Sequence, residues 1–244
     1  NLTPFTTLSG TNAFALAEDC TIEVLGDNDT TCYPTLQSAF QAINNGLHTG
    51  NIKVLVHGNS TETSTATLNA SGSGSASYSS VTIYPTAPSL TISGNINGPL
   101  INLNGVDSVI IDGSVNGTGS TADLQLINTS TSNVSNTSTI LFSGSATQNI
   151  VKYCQIQGSG SHSESGIILF SESSGTGNDN NILESNSISG HGTQRPINAI
   201  YAASEGSANG NNKILKNQIF NILNPSTSST CVHLSVGNES WSIE

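Results

Sequence analysis

The sequence predicts an all-β solenoid, a parallel β-helix with one capping helix ahead of its coils. The first observation behind this is a segment that returns twice. Asn149-Ile150-Val151-Lys152-Tyr153-Cys154-Gln155-Ile156-Gln157-Gly158 recurs as Asn181-Ile182-Leu183-Glu184-Ser185-Asn186-Ser187-Ile188-Ser189-Gly190, and again as Asn212-Lys213-Ile214-Leu215-Lys216-Asn217-Gln218-Ile219-Phe220-Asn221. The offsets are 32 (181 − 149) and 31 (212 − 181), and Ile156, Ile188 and Ile219 keep them to the residue. A fixed period of about 20–50 residues marks stacked repeats. The second observation is another apolar strand between the copies: Ile168 and Phe170, Ile200 and Ala202, Val232 and Leu234, again 32 apart (200 − 168, 232 − 200). Each unit thus holds at least two β segments whose alternate residues point inward, the unit of a β-helical coil. The third is composition. Hydrophobic content of 34% and charged content of 9% would suit a disordered linker. Disorder, however, does not require apolar residues kept in register.

Residues 1–32 read as an irregular N-terminal segment, in which Phe14-Ala15-Leu16 and Ile22-Glu23-Val24-Leu25 suggest a hairpin. Residues 33–49 hold the capping helix, expected over 34–45. Pro34 and Thr35 mark its start, and Leu36, Ala39, Phe40 and Ile43 form one apolar face. Gly46 ends it. The β-helix then runs over 50–244. Its strands include Ile52–Val56, the alternating row Thr61, Thr63, Thr65 and Thr67, and Val81–Tyr84 stopped by Pro85. Leu90–Ile92, Leu100–Leu103, Val109–Asp112, Leu124–Ile127 and Thr139–Phe142 follow, with loops at 70–80, 114–122, 129–137 and 171–179. The count is about seven coils, a rod on the order of 35 Å long at the strand spacing. The Thr row is not repeated at the coil period, so it is a surface strand rather than an ice-binding array.

Asn186 and Asn217 share one coil position, with Cys154 in the coil before. Asn tolerates a left-handed corner and bonds its own backbone there. Stacked Asn side chains also bond one another, so this pair is expected as a structural ladder.

The net charge of −11, with five Lys and Arg, excludes a phosphate-binding surface; nucleic acid and anionic membranes are not expected partners. No apolar run approaches the ~20 residues of a membrane span. The first residues lack the basic and apolar regions of a signal peptide, and the chain reads as a piece of a larger protein whose β-helix continues beyond it. Cys20 and Cys32 bracket a turn-rich stretch and are expected to form a disulfide, which fits an oxidising location. Cys154 and Cys231 read as small buried side chains.

The order of these segments carries a resemblance: Tyr33-Pro34-Thr35-Leu36-Gln37-Ser38-Ala39-Phe40, then Gly50-Asn51-Ile52-Lys53-Val54-Leu55-Val56, Tyr84-Pro85, Leu103-Asn104-Gly105-Val106, Val109–Gly113 and the Asn-rich coils. Residues 33–244 resemble the right-handed parallel β-helix region of large bacterial surface proteins exported by the type IX route, and the wider pectate-lyase-like superfamily. The resemblance implies export, a cell-surface or extracellular location and a modular parent protein. It does not fix an activity, because that superfamily holds lyases, hydrolases, esterases, adhesins and inert stalks.

Few residues stand in a catalytic pattern. A lyase of this fold uses carboxylates on Ca²⁺ and a basic residue, and Arg195, the one Arg, stands in a loop beside Pro196. Glu164, Glu172 and Glu184 occupy different coil positions. A glycosidase needs carboxylates about 5–10 Å apart, and Asp107, Asp112 and Asp123 are the best cluster, although Asp112 before Gly113 is also a turn residue. His48, His57, His162, His191 and His233 are dispersed, against the close ligand spacing of structural zinc, so no metal site is assigned. Asp27-Asn28-Asp29 offers oxygens to Ca²⁺ but lacks the Gly and terminal Glu of the Ca²⁺ loop. No cofactor is expected, with Ca²⁺ the one ion left open. Asn128-Thr129-Ser130 and Asn136-Thr137-Ser138 are glycosylation triplets expected by chance. The expectation is therefore a non-catalytic stalk or adhesin module of an exported surface protein, binding surface glycans through polar residues and an exposed Tyr such as Tyr201, with other domains of its parent as partners. The alternative is a polysaccharide lyase or glycoside hydrolase with its site in loops 107–123 or 190–205.

Overall fold

The computed structural model describes residues 20–27, 29–171 and 175–244. The chain winds as a parallel β-solenoid with three faces. The first face holds Thr49–Val56, Ser77–Pro85, Val109–Asp112, Ile150–Lys152, Ile182–Glu184, Lys213–Leu215 and Ser242–Ile243. The second holds Ser60–Glu62, Leu90–Gly94, Leu124–Asn128, Cys154–Gly158, Ser187–Gly190 and Gln218–Phe220. The third holds Ala66–Asn69, Pro99–Asn104, Ser138–Ser143, Ile168–Phe170, Asn198–Ala202 and Thr230–Leu234. The second and third faces are six-stranded, so six coils are complete, and Ser242–Ile243 opens a seventh on the first face. Within a coil the chain passes from first to second to third face. The turns between them are termed the first, second and third corners in that order.

Because the backbone pairs in register, side chains stack into columns. Ile156 lies beside Ile188 and Ile188 beside Ile219, with Leu126 and Ile92 continuing the column below. Ile156 and Ile188 are fully buried, whereas Ile219, in the last second-face strand, is partly covered. On the third face Phe142 and Phe170 stack at 4.4 Å between ring centroids. Ala202 follows them in the column, and Trp241 meets the Phe170 ring edge-on at 5.0 Å. Coil length varies without breaking the columns. Ile110 pairs with Ile150 over 40 residues (150 − 110), and Ile150 with Ile182 over 32 (182 − 150); loops at the corners absorb the difference.

The N-terminal end is closed by two elements. The helix Leu36–Asn44 begins at Thr35, whose hydroxyl and that of Ser38 form a capping box, and it buries Leu36, Ala39, Phe40, Ala42 and Ile43. The segment 20–33 is not irregular. Ile22–Leu25 and Thr30–Tyr33 form an antiparallel hairpin, and Ile22–Leu25 pairs antiparallel with Thr49–Val56. The hairpin partner is thus Thr30–Tyr33, and Phe14-Ala15-Leu16 lies outside the described residues. The Cys20–Cys32 disulfide ties its open end. Two further readings change. The Thr61–Thr67 row is divided between Ser60–Glu62 and Ala66–Asn69 by a corner, so those threonines do not share one face. Cys154 is buried but Cys231 is exposed, because Cys231 is the outward residue between Thr230 and Val232 of the last coil.

Candidate functional site

The corners are built from polar side chains. Asn149, Asn181 and Asn212 form a buried amide ladder: Asn149 Nδ2 donates to Asn181 Oδ1 at 2.9 Å, and Asn181 Nδ2 to Asn212 Oδ1 at 3.1 Å. Each oxygen also accepts the backbone N–H of the preceding coil's Asn, at 3.0 and 2.8 Å. At the first corner Asn186 Nδ2 donates to Asn217 Oδ1 at 2.9 Å, and Asn186 Oδ1 accepts the Cys154 N–H at 3.0 Å. The left-handed conformation falls one residue earlier than expected: Tyr153, Ser185 and Lys216 have φ of 53°, 53° and 55°. That kink turns the following Asn inward, where its amide serves the stack. These Asn residues are scaffold.

The sequence-derived catalytic candidates do not assemble. Asp107 sits at a third corner and accepts a hydrogen bond from Thr147 Oγ1. Asp112 sits at the other end of the strand, about 16 Å away at the strand rise. Asp112 is only 3% exposed. Its Oδ1 accepts from Ser114 N at 3.0 Å and Ser114 Oγ at 2.7 Å, and its Oδ2 faces Lys152 Nζ at 3.0 Å. A carboxylate so enclosed and neutralised is not open to a substrate. Asp123 reaches the same first corner, its N–H bonded to Gly113 O at 2.9 Å. Arg195 lies at a second corner two coils on, with Nη1 folded back onto Gly192 O of its own loop. Glu184 is the in-register neighbour of Lys152 on the first face, and Glu172 lies outside the described residues. Among the described residues no three His, Cys, Asp or Glu side chains converge on a metal-sized site. His48 and His57 serve the N-terminal packing, paired with Asp29 at 2.8 Å and Glu23 at 2.9 Å. Asn128 is buried, with Nδ2 donating to three carbonyls, of Ile96, Gly98 and Ser138; in the folded chain its amide is closed to glycosylation. Asn136 is exposed.

A cleft of about 550 Å³ opens instead on the third face. Its floor is formed by Leu169 and Tyr201, the middle of an outward column, Leu141–Leu169–Tyr201–His233, in register across four coils. Leu141, Leu169 and Tyr201 form an apolar cluster separate from the core. Corner loops raise the walls. Asn136 and Glu164 rise from second corners, and Ser204, Glu205 and Ser235 from third corners. The two carboxylates are exposed on opposite rims. Tyr201 is 6% exposed, not an exposed surface ring. His233 meets its ring edge-on at 5.0 Å, and its hydroxyl has no hydrogen-bond partner among the described residues. A smaller recess of about 420 Å³ lies along the first corner against Tyr153, Ser185 and Lys216. The cleft residues escaped sequence reading because loops set them. The outward column did leave a signal: apolar Leu141, Leu169 and Tyr201 stand between inward-facing neighbours, where a solvated face would be polar.

Compared with known protein families, curated proteins and solved structures, the chain matches none. Among the described residues no helix is long and apolar enough to cross a membrane.

Proposed function

We propose that this chain is a non-catalytic β-solenoid module of an exported surface protein, a rod that holds a glycan in its third-face cleft. The observation that carries the reading is the open third-face cleft itself, floored by Leu169 and Tyr201 and walled by the polar side chains of Asn136, Glu164, Ser204, Glu205 and Ser235. Saccharides present both an apolar C–H face and dense hydroxyls, and a site with an aromatic floor and a few convergent polar groups suits both. The Cys20–Cys32 disulfide supports an oxidising, extracytoplasmic setting. The scattering of Asp107, Asp112 and Arg195 supports a binding role over catalysis.

Binding of a panel of neutral and charged oligosaccharides, followed by calorimetry, tests this. At least one is expected to bind, with affinity lost in Tyr201→Ala. The alternative, a polysaccharide lyase or glycoside hydrolase, draws on Glu164 and Glu205 sharing one cleft. New reducing ends or unsaturated products, abolished by Glu205→Gln, would establish that alternative and end the non-catalytic reading.

A further inference from the structure

We infer that the cleft selects an amino-sugar oligomer, whose ammonium groups pair with Glu164 and Glu205. This rests on the glycan reading above and gives it a ligand class. The charged residues lining the cleft among those described are two carboxylates, with no Lys or Arg. The chain as a whole carries −11 with five Lys and Arg, so no compensating positive field surrounds the site. An acidic polysaccharide is repelled at the rims and finds no cation in the cleft. A neutral sugar engages Tyr201 and the wall hydroxyls and leaves both exposed carboxylates hydrated, gaining no charge attraction from them. An oligomer with a protonated amine on each unit adds that attraction at both rims.

The topology supports two separate contacts. Glu164 precedes the strand Ile168–Phe170 and Glu205 follows the strand Asn198–Ala202 in the next coil. The carboxylates therefore stand on opposite banks, separated by roughly the length of a strand of about five residues, on the order of 16 Å at the backbone. A single small cation does not bridge such banks, whereas an extended oligomer lying over Tyr201 approaches both. Each ion pair is solvent-exposed, so its contribution is modest. Two together give a preference on the order of tenfold, weakened by salt.

The test is calorimetric titration of the intact protein, at mildly acidic pH and low salt, with glucosamine, N-acetylglucosamine and galacturonate oligomers of equal length. The expected result is about tenfold tighter binding of the glucosamine oligomer than of its N-acetylated counterpart, with galacturonate weakest. Glu164→Gln combined with Glu205→Gln is expected to abolish the preference, so that the glucosamine and N-acetylglucosamine oligomers bind with equal affinity; a preference that survives in the double variant overturns the inference. Both positions are exposed, so a thermal melt of the double variant should overlay the wild type. Equal affinity for the amino and N-acetyl oligomers, or a preference for galacturonate, overturns this inference and leaves the glycan reading standing. No binding of any oligomer overturns both.

Discussion

At the scale of single residues, the stack depends on buried polar groups that satisfy one another between coils. Asn181 is the middle rung of its ladder, and Asn181→Ala leaves the Asn149 N–H and amide without their acceptor in a buried setting. Each unsatisfied buried group costs about 1–3 kcal/mol, so urea unfolding should show a loss of roughly 2–4 kcal/mol. A loss under about 0.5 kcal/mol, the scale of a neutral surface change, would mean that the ladder is decorative. Cys154 offers a pH readout. Burial, and secondarily the Asp112 charge, push its thiol well above the usual 9.0. A thiol that stays protonated when folded but ionises when unfolded contributes stability that is full below the ordinary thiol value and is lost as pH rises beyond it. Thermal melts should therefore decline above about pH 9, by up to about 1.4 kcal/mol per pH unit from this group. Cys154→Ala should flatten that arm, leaving a later decline from Tyr78, which burial and then Asp107 also raise. An unchanged alkaline slope in the variant would contradict the assignment. The Asn186–Asn217 pair was readable from sequence because both fall at one coil position. The Asp112–Lys152 pair was not, because the one irregular coil hides their register.

At the scale of elements, the N-terminal end shows how a parallel stack protects its first edge. Glu62 is 2% exposed, and its carboxylate accepts the N–H groups of Leu36 and Gln37, both at 2.9 Å, and the Ser60 hydroxyl. A negative group at a helix N-terminus satisfies orphan donors and opposes the helix dipole. At the other end of the helix Asn44 bonds both Thr67 O and Asn69 N, at 2.8 and 2.9 Å. Those bonds occupy backbone groups of an edge strand that would otherwise invite pairing with another chain. Glu62→Ala should cost roughly 1.5–3 kcal/mol by the scale of charged hydrogen bonds and expose 36–44 to limited proteolysis. A protease pattern identical to wild type would show the clamp to be dispensable. The helix itself was written in its apolar spacing and its Pro34-Thr35 start. The clamp was not, since nothing local couples Glu62 to a helix N-terminus 26 residues upstream. A hairpin using Ile22–Leu25 was expected, but its second arm Thr30–Tyr33 was missed for a related reason: the pair is held on the edge of Thr49–Val56, a non-local partner. Gly113 marks another such contact, because a Cβ there would lie 1.9 Å from Tyr153 O; only in the stacked structure is that need visible.

At the scale of the whole molecule, the fold was legible because a solenoid repeats one environment. Ile156, Ile188 and Ile219 announced their column by spacing alone, and the count differs only in that the seventh coil is begun rather than complete. The cleft walls come from corner loops that obey no period, which is why the cleft emerged only in three dimensions. In a quasi-linear array each coil is held by its neighbours, so protection should be uneven. Phe220, Leu223, Val236 and Ile243 of the last turns are exposed. Hydrogen exchange should therefore be fastest over 213–243 and slowest in the central coils around Ile140, Ile156 and Ile168. Uniform protection would argue against nearest-neighbour stacking as the main source of stability. The proposed glycan site is the third-face cleft. A crystal structure of the protein soaked with the glucosamine oligomer tests it most directly. The sugar is expected in the third-face cleft, one ring over Tyr201 and its amines toward Glu164 and Glu205. Density along the first-corner recess beside Tyr153 and Lys216 instead, with the third-face cleft empty, would contradict it.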